Sequence, residues 1–163
     1  MDNTNPYSSP TTPIQEMPET EISYAGFWLR FVALLIDVIV IFVGAFLVGI
    51  LLYLVINIIG IEIPAMSEEV WDAIVNITDL LVNWLYFTIL ESSAWQATLG
   101  KRAVGIKVTD LQGEKMSFGR SNARYWSKIL SVLVLFIGFL MVAFTDKKQG
   151  LHDMIAGTLV IKD

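Results

Sequence analysis

FVALLIDVIVIFVGAFLVGILLYLVINII, residues 31–59, runs for 29 residues and is interrupted only by Asp37, Gly44, Gly49 and Asn57. About 20 predominantly apolar residues cross a hydrocarbon core, so this run spans a bilayer, and tilt or extension past one headgroup layer takes up the excess. It starts thirty residues into the chain with no basic stretch ahead of it. It is also too long for the apolar part of a signal peptide, so it is expected to be retained. Tyr24, Phe27 and Trp28 stand just before it, where interfacial aromatic anchors belong.

Composition agrees. The 163 residues are 55% apolar with a mean hydropathy of +0.61, the range of integral membrane proteins rather than soluble enzymes. The net charge of -5 conceals a segregation. Residues 1–29 hold Asp2, Glu16, Glu19 and Glu21 without a lysine or arginine, whereas 101–128 hold Lys101, Arg102, Lys107, Lys115, Arg120, Arg124 and Lys128. The chain has no cysteine, which removes disulfides, thiolate metal sites and thiol catalysis and leaves the redox compartment open. Pro6, Pro10, Pro13 and Pro18 among Ser, Thr and Asn mark residues 1–22 as a disordered tail.

A second span is expected over 70–90, after a short loop at 60–69. Asp72 and Asp79 together cost it about 5–7 kcal/mol on the insertion scale, so it needs a neighbour to insert. Residues 91–117 are polar. The alternation of Val104, Ile106 and Val108 with Gly105, Lys107 and Thr109 predicts a strand, with a turn at Asp110 to Gly113 and a short strand near Lys115 to Ser117. Thr158 to Lys162 is another β-branched run. Ser117 is placed to cap a helix from Phe118, and Arg120, Arg124 and Lys128 recur along one face of it as a contact for anionic lipid heads. The apolar segment that follows, about 122–144, has an uninterrupted part (129–144) of only 16 residues.

The expected fold is therefore an all-α integral membrane protein: two transmembrane helices, a third apolar segment that is re-entrant or spanning, and a small cytoplasmic β element. The positive-inside rule puts the 91–128 loop and the N-terminus in the cytoplasm. A full third crossing would strand the last β-run on the opposite side from the one it would pair with, which favours the re-entrant form.

Charges at membrane depth are the candidate functional groups, since each costs ~2.5–3.5 kcal/mol and needs a partner or a pathway. Arg30 and Asp37 share a helix face, seven residues and about 10 Å apart, and Arg30 is expected either to tune or gate Asp37 or to be structural. Asp72, Asn76, Asp79, Asn83 and Tyr86 fall at steps of four and three, one polar stripe that lipid does not accept. With Asp37 at a similar depth, these carboxylates and amides suit an alkali cation or a proton; the alternative is an interhelical hydrogen-bond seam without transport. No other metal site is indicated. His152, the one histidine, is a candidate proton relay or a hydrogen-bonding residue, and Asp153 a candidate partner for Arg30 or another basic residue, fixing the third segment to the first. Gly100-Lys101 lacks the phosphate-loop pattern, and no motif points to an enzyme, a cofactor or nucleic-acid binding.

Three stretches, YAGFWLRFVALLIDVIV (24–40), ATLGKRAVGIKVTDLQGEKMSFGRSNARYWSKIL (97–130) and KKQGLHDMIAGTLVI (147–161), together resemble the RDD family of small membrane proteins. In that resemblance residues 23–163 form the membrane domain, and Arg30, Asp37 and Asp153 match the naming arginine and two aspartates. The resemblance implies transport of ligands not yet identified, with some members associated with sodium/proton exchange. The functional expectation is cation or proton transport in the cell inner membrane by a homo-oligomer or with a partner subunit, since three apolar segments cannot enclose a route from lipid. The alternative is a membrane adaptor or assembly module without transport activity.

Overall fold

The computed structural model describes residues 22–60, 66–133 and 137–163. The tail expected over 1–22 thus lies outside the described residues apart from Ile22, as do residues 61–65 of the 60–69 loop. Two long helices lead the chain: α1, Phe27–Ile59, and α2, Glu68–Ser92. Both extend a few residues beyond the apolar runs at 31–59 and 70–90, because the flanking aromatic and acidic residues continue the helix. Gly60, left-handed at φ 73°, ends α1 by donating its N–H to the Ile56 carbonyl at 3.0 Å. Glu68 and Glu69 occupy the first turn of α2, where the helix dipole favours anions.

At 1.5 Å per residue α1 is about 50 Å long, well beyond the ~30 Å hydrocarbon core. Its buried residues, Ala33 and Asp37, lie in its first three turns. Beyond Ile41 every residue of α1 except Ile56 is exposed, and α2 does not pack along it. Both helices are long and apolar enough to cross a membrane.

The rest of the chain gathers at the N-terminal end of α1. A short helix α3, Leu99–Ala103, packs on α1 and leads to strand β1, Ile106–Asp110. Helix α4, Phe118–Leu133, lies against α2, and a one-turn helix α5, Ile137–Leu140, continues into a 3-10 turn at Met141–Ala143. Helix α6, Leu151–Ala156, packs on α4 and is closed by Gly157 in the left-handed conformation, φ 61°. Strand β2, Thr158–Lys162, then pairs antiparallel with β1, Val108 opposite Val160. Tyr24 bridges to Ile161, and Ala25 donates its N–H to the Val160 carbonyl at 2.8 Å, which ties the entry of α1 to the same sheet. The small apolar core consists of Ala25, Ala33, Ile106, Val108, Met116 and Val160.

The strand expected near Lys115 to Ser117 does not form. Asp110 accepts the N–H groups of Gln112 and Glu114 at 3.0 and 2.9 Å in a tight turn, and the chain then drops Met116 into the core as an irregular segment. Ser117 does cap α4, accepting from Arg120 N–H at 3.3 Å.

The third apolar segment bends by 116° between α4 and the 137–143 turn. The pairing of β1, before this segment, with β2, after it, requires both to lie on one side of the bilayer. A complete crossing between them would separate them, so the segment turns back, and the entry of α1 shares that side through Ala25. A cysteine placed at Asp163 and one at Glu114, in a chain that has none of its own, should be labelled by an impermeant maleimide from the same side, and one at Ser67 from the other. Labelling of Asp163 from the side of Ser67 would overturn this topology.

Candidate functional site

Asp37 is completely buried three turns into α1, and its carboxylate is held from two other elements. Oδ1 accepts from Tyr86 Oη and from the Gly100 N–H, both at 2.7 Å, and Oδ2 accepts from Thr98 Oγ1 at 2.6 Å. Thr98 also caps α3, its Oγ1 accepting from the Lys101 N–H at 3.3 Å. One threonine therefore aims the helix start at the carboxylate while binding it. The approach is so close that a Cβ on Gly100 would collide with the Ala33 carbonyl oxygen and sit 2.8 Å from the Asp37 carboxylate. Glycine is required there for contact rather than for its backbone freedom.

Two turns closer to the start of α1 begins a chain of buried ion pairs. Arg30 pairs with Asp153 and gives further N–H groups to the Lys148 carbonyl at 2.5 Å and the Ala25 carbonyl at 3.0 Å. Asp153 also accepts from Arg124 Nε at 2.8 Å and from the Gly150 N–H at 3.1 Å. The Arg124 guanidinium reaches on to Glu91 at 3.1 Å, and Glu91 pairs with Lys101. Three cations and two carboxylates thus alternate across α1, α2, α3, α4 and α6. Asp153 is 0% exposed and Arg124 and Glu91 2% each, so every charge in the middle of the chain depends on its neighbours.

The electrostatics outside the spans follow from this crowding. Burial by itself would raise the Asp153 carboxyl, but Arg124 and Arg30 outweigh it and hold the group far below the usual carboxylate range. Burial lowers Lys101 to about 8, with Glu91 opposing the shift, so it stays a cation at neutral pH. Burial likewise pushes His152 down to about 3; Asp153 opposes the shift, and the cations Arg124, Lys128 and Arg30 add to it. His152 is neutral, packed on the Phe139 ring at 5.1 Å with its Nδ1 3.3 Å from Ser131 Oγ.

The structure brings Arg30 and Asp153 together as anticipated. It does not bring Asp37 to Asp79. Asp37 meets Tyr86, the last member of the polar stripe, and Asp79 lies two turns, about 10 Å, further along α2. Asp72, Asn76 and Asp79 are exposed; Asn76 and Asn83 each turn an amide back to their own helix, onto the carbonyls of Asp72 and Asp79 at 2.8 and 2.9 Å. The basic face of α4 also divides. Arg120 is exposed and pairs with Asp110 at 3.2 Å, but Arg124 is turned fully inward by Asp153 and Glu91 and offers nothing to a lipid head. Lys128 lies between them, its Nζ 4.4 Å from the centre of the Phe87 ring and 5.6 Å from that of Tyr125. Glu91, Thr98, Gly100 and Lys101 escaped the sequence reading; the only local signals were a lone glutamate closing an apolar run and a glycine next to a basic pair.

Between α1, α2, α4 and the 137–143 turn lies a cavity of about 480 Å³. Phe27, Phe31, Leu34, Val132, Phe139 and Leu140 supply most of its apolar wall. Arg30, Lys101, Arg124 and Lys128 also line it.

Two membrane-length helices, a third, bent apolar segment and a polar clamp at the start of α1 define a small α-helical integral membrane protein. Its sequence matches the RDD family model over residues 24–157, and the chain belongs to that family. It is 37% identical over 148 residues to the uncharacterized protein YxaI of Bacillus subtilis (strain 168), covering 84% of this chain and 96% of that protein. It is 33% identical over 147 residues to the uncharacterized membrane protein YteJ of the same organism, covering 86% and 82%. No solved structure matches.

Removing one member of the clamp leaves a buried charge unpaired, so Asp153→Asn should lower unfolding stability in detergent by about 3–5 kcal/mol. Lys107→Ala, which breaks the exposed pair to Asp163 at 2.5 Å, should cost about 0–1 kcal/mol. Gly100→Ala should destabilise by ~1–3 kcal/mol through overpacking against Ala33 and Asp37. Because the folded His152 resists protonation until about pH 3 while an unfolded histidine takes a proton near 6.5, acid favours unfolding across that window. Thermal melts should show a loss of about 2 kcal/mol between pH 6.5 and 5 from this group, and His152→Gln should remove that part of the slope.

Proposed function

We propose that the protein is a transport subunit of the cell inner membrane that passes a monovalent cation or a proton along the polar stripe of α2, where a second copy or a partner subunit covers it. The observation that carries this reading is the stripe itself. Asp79 stands at the middle of a membrane-length helix, exposed, with Asp72 and Asn76 exposed on the same face and Asn83 partly so. A carboxylate at that depth costs ~2.5–3.5 kcal/mol against lipid, so another polar surface or water must meet it. Carboxylates and amides are hard oxygen ligands, suited to alkali ions.

Asp37 takes a different part here from the one first expected. Its oxygens are occupied by three donors, so it positions the Tyr86 end of the stripe against α1 and α3 rather than ligating the ion. Arg30 and Asp153 act with it as the anchor of the fold. The face carrying β1, β2 and the start of α1 is cytoplasmic in this reading, by the basic residues of 101–128. No covalent chemistry and no cofactor enter the cycle.

In the second reading, the same uncovered stripe is a seam for another membrane protein, making the chain an adaptor. Proteoliposomes carrying the full chain and an internal pH dye separate the two. Under imposed Na⁺, K⁺ or Li⁺ gradients the wild type should move protons, and Asp79→Asn should reduce the initial rate at least tenfold with the melting temperature unchanged. A silent wild type that yields one defined hetero-complex on cross-linking in native membranes would establish the adaptor instead.

A further inference from the structure

The cavity beside the charge clamp has a composition that the clamp alone does not explain. Arg30, Lys101, Arg124 and Lys128 border it, and the carboxylates set among them are Asp37, Glu91 and Asp153. Four cations against three carboxylates leave one positive charge, and with His152 neutral nothing else among the surrounding described groups offsets it. The surplus has an address. Arg30, Arg124 and Lys101 are each ion-paired, whereas among the described residues no carboxylate oxygen lies within ion-pair distance of Lys128 Nζ, which rests against the rings of Phe87 and Tyr125. Glu91, Asp153 and Asp37 act on this ammonium only from beyond ion-pair distance, so a counter-ion in direct contact with it is favourable, and low dielectric makes such a contact worth more than in water.

The remainder of the wall is apolar and continues to the outside. Phe31, Leu34, Val132 and Leu140 line the cavity and are each 40–48% exposed. Its volume falls within the ~300–1,000 Å³ of small-molecule sites. A ligand suited to it has one negative charge at one end and a hydrocarbon chain at the other, the chain leaving through the α1 and α4 side into lipid. We propose that this cavity is a binding site for one anionic phospholipid, with Lys128 as the ligand of its phosphodiester and Phe31, Leu34, Val132 and Leu140 along its acyl chain. The site is separate from the α2 stripe, and its occupancy does not depend on transport.

Native mass spectrometry of the full chain in a neutral maltoside detergent tests it, with dioleoyl phosphatidylglycerol, dioleoyl phosphatidylcholine and glycerol 3-phosphate as probes. One phosphatidylglycerol per chain should be retained at least tenfold more tightly than phosphatidylcholine, and glycerol 3-phosphate at equal concentration should neither bind nor compete. Lys128→Gln should weaken the retained lipid about tenfold, and Leu34→Trp, which fills the apolar end without touching a charge, should weaken it as well. Arg120→Gln, on the exposed side of α4, should leave it unchanged. Equal retention of the two lipids, competition by glycerol 3-phosphate, or equal losses with Lys128→Gln and Arg120→Gln would each overturn the site. Should Lys128→Gln fail to fold, Leu34→Trp decides: unchanged phosphatidylglycerol binding in it refutes the proposal.

Discussion

Asp153 is the carboxylate on which two arginines converge, one from the first turn of α1 and one from the middle of α4. Burying any of the three alone would cost several kcal/mol, so each is tolerated only where the other two are in place. The geometry around them is correspondingly specific: Arg30 spans from Asp153 to two backbone carbonyls, and Arg124 from Asp153 to Glu91. Ion pairs of this kind add little net stability compared with apolar packing of the same volume, but they discriminate strongly between registers. A one-residue slip of α4 would leave Arg124 facing lipid. The clamp decides which way the third segment lies, and the strand pairing of β1 with β2 follows from it.

A second anchor, at Asp37, follows a different logic. It is an anion held by neutral donors, two hydroxyls and a backbone N–H, with one of the hydroxyls also capping the helix that supplies the N–H. Between them the two anchors replace what a soluble domain of this size would obtain from a large hydrophobic core. Here the apolar surface is given to lipid, the apolar core is only a handful of side chains, and fixed polar contacts do the positioning.

The fold was legible where periodicity or length carried it. The two spans, the α4 start at Ser117, the turn at Asp110 and the strand at 158–162 all rest on local rules, and those rules act on consecutive residues. The strand near Lys115 failed because Met116 found a better place in the core than in a ladder. The site was legible in its outline, since a charge inside an apolar run announces that a partner exists. The partner's identity is not local: Thr98 and Gly100 stand 61 and 63 residues from Asp37, and nothing in their own neighbourhood distinguishes them. Arg124 misled for the same reason. Its spacing with Arg120 and Lys128 describes a helix face correctly, but α6 and α2 close over that face and turn one of its members inward.

The clamp joins residues far apart in synthesis. Arg30 is made 123 residues before Asp153, an interval of roughly 6–25 s at ordinary translation rates. When α2 has been made, α1 and α2 can enter the bilayer while Arg30, Asp37 and Glu91 still lack their final partners. Arg30 and Glu91 sit near helix ends, within reach of headgroups and water, and Asp37 waits only until Gly100 emerges. Among these three groups the order in which the chain leaves the ribosome therefore matches the order in which they become able to retreat from water, with Asp37 satisfied first and Arg30 last.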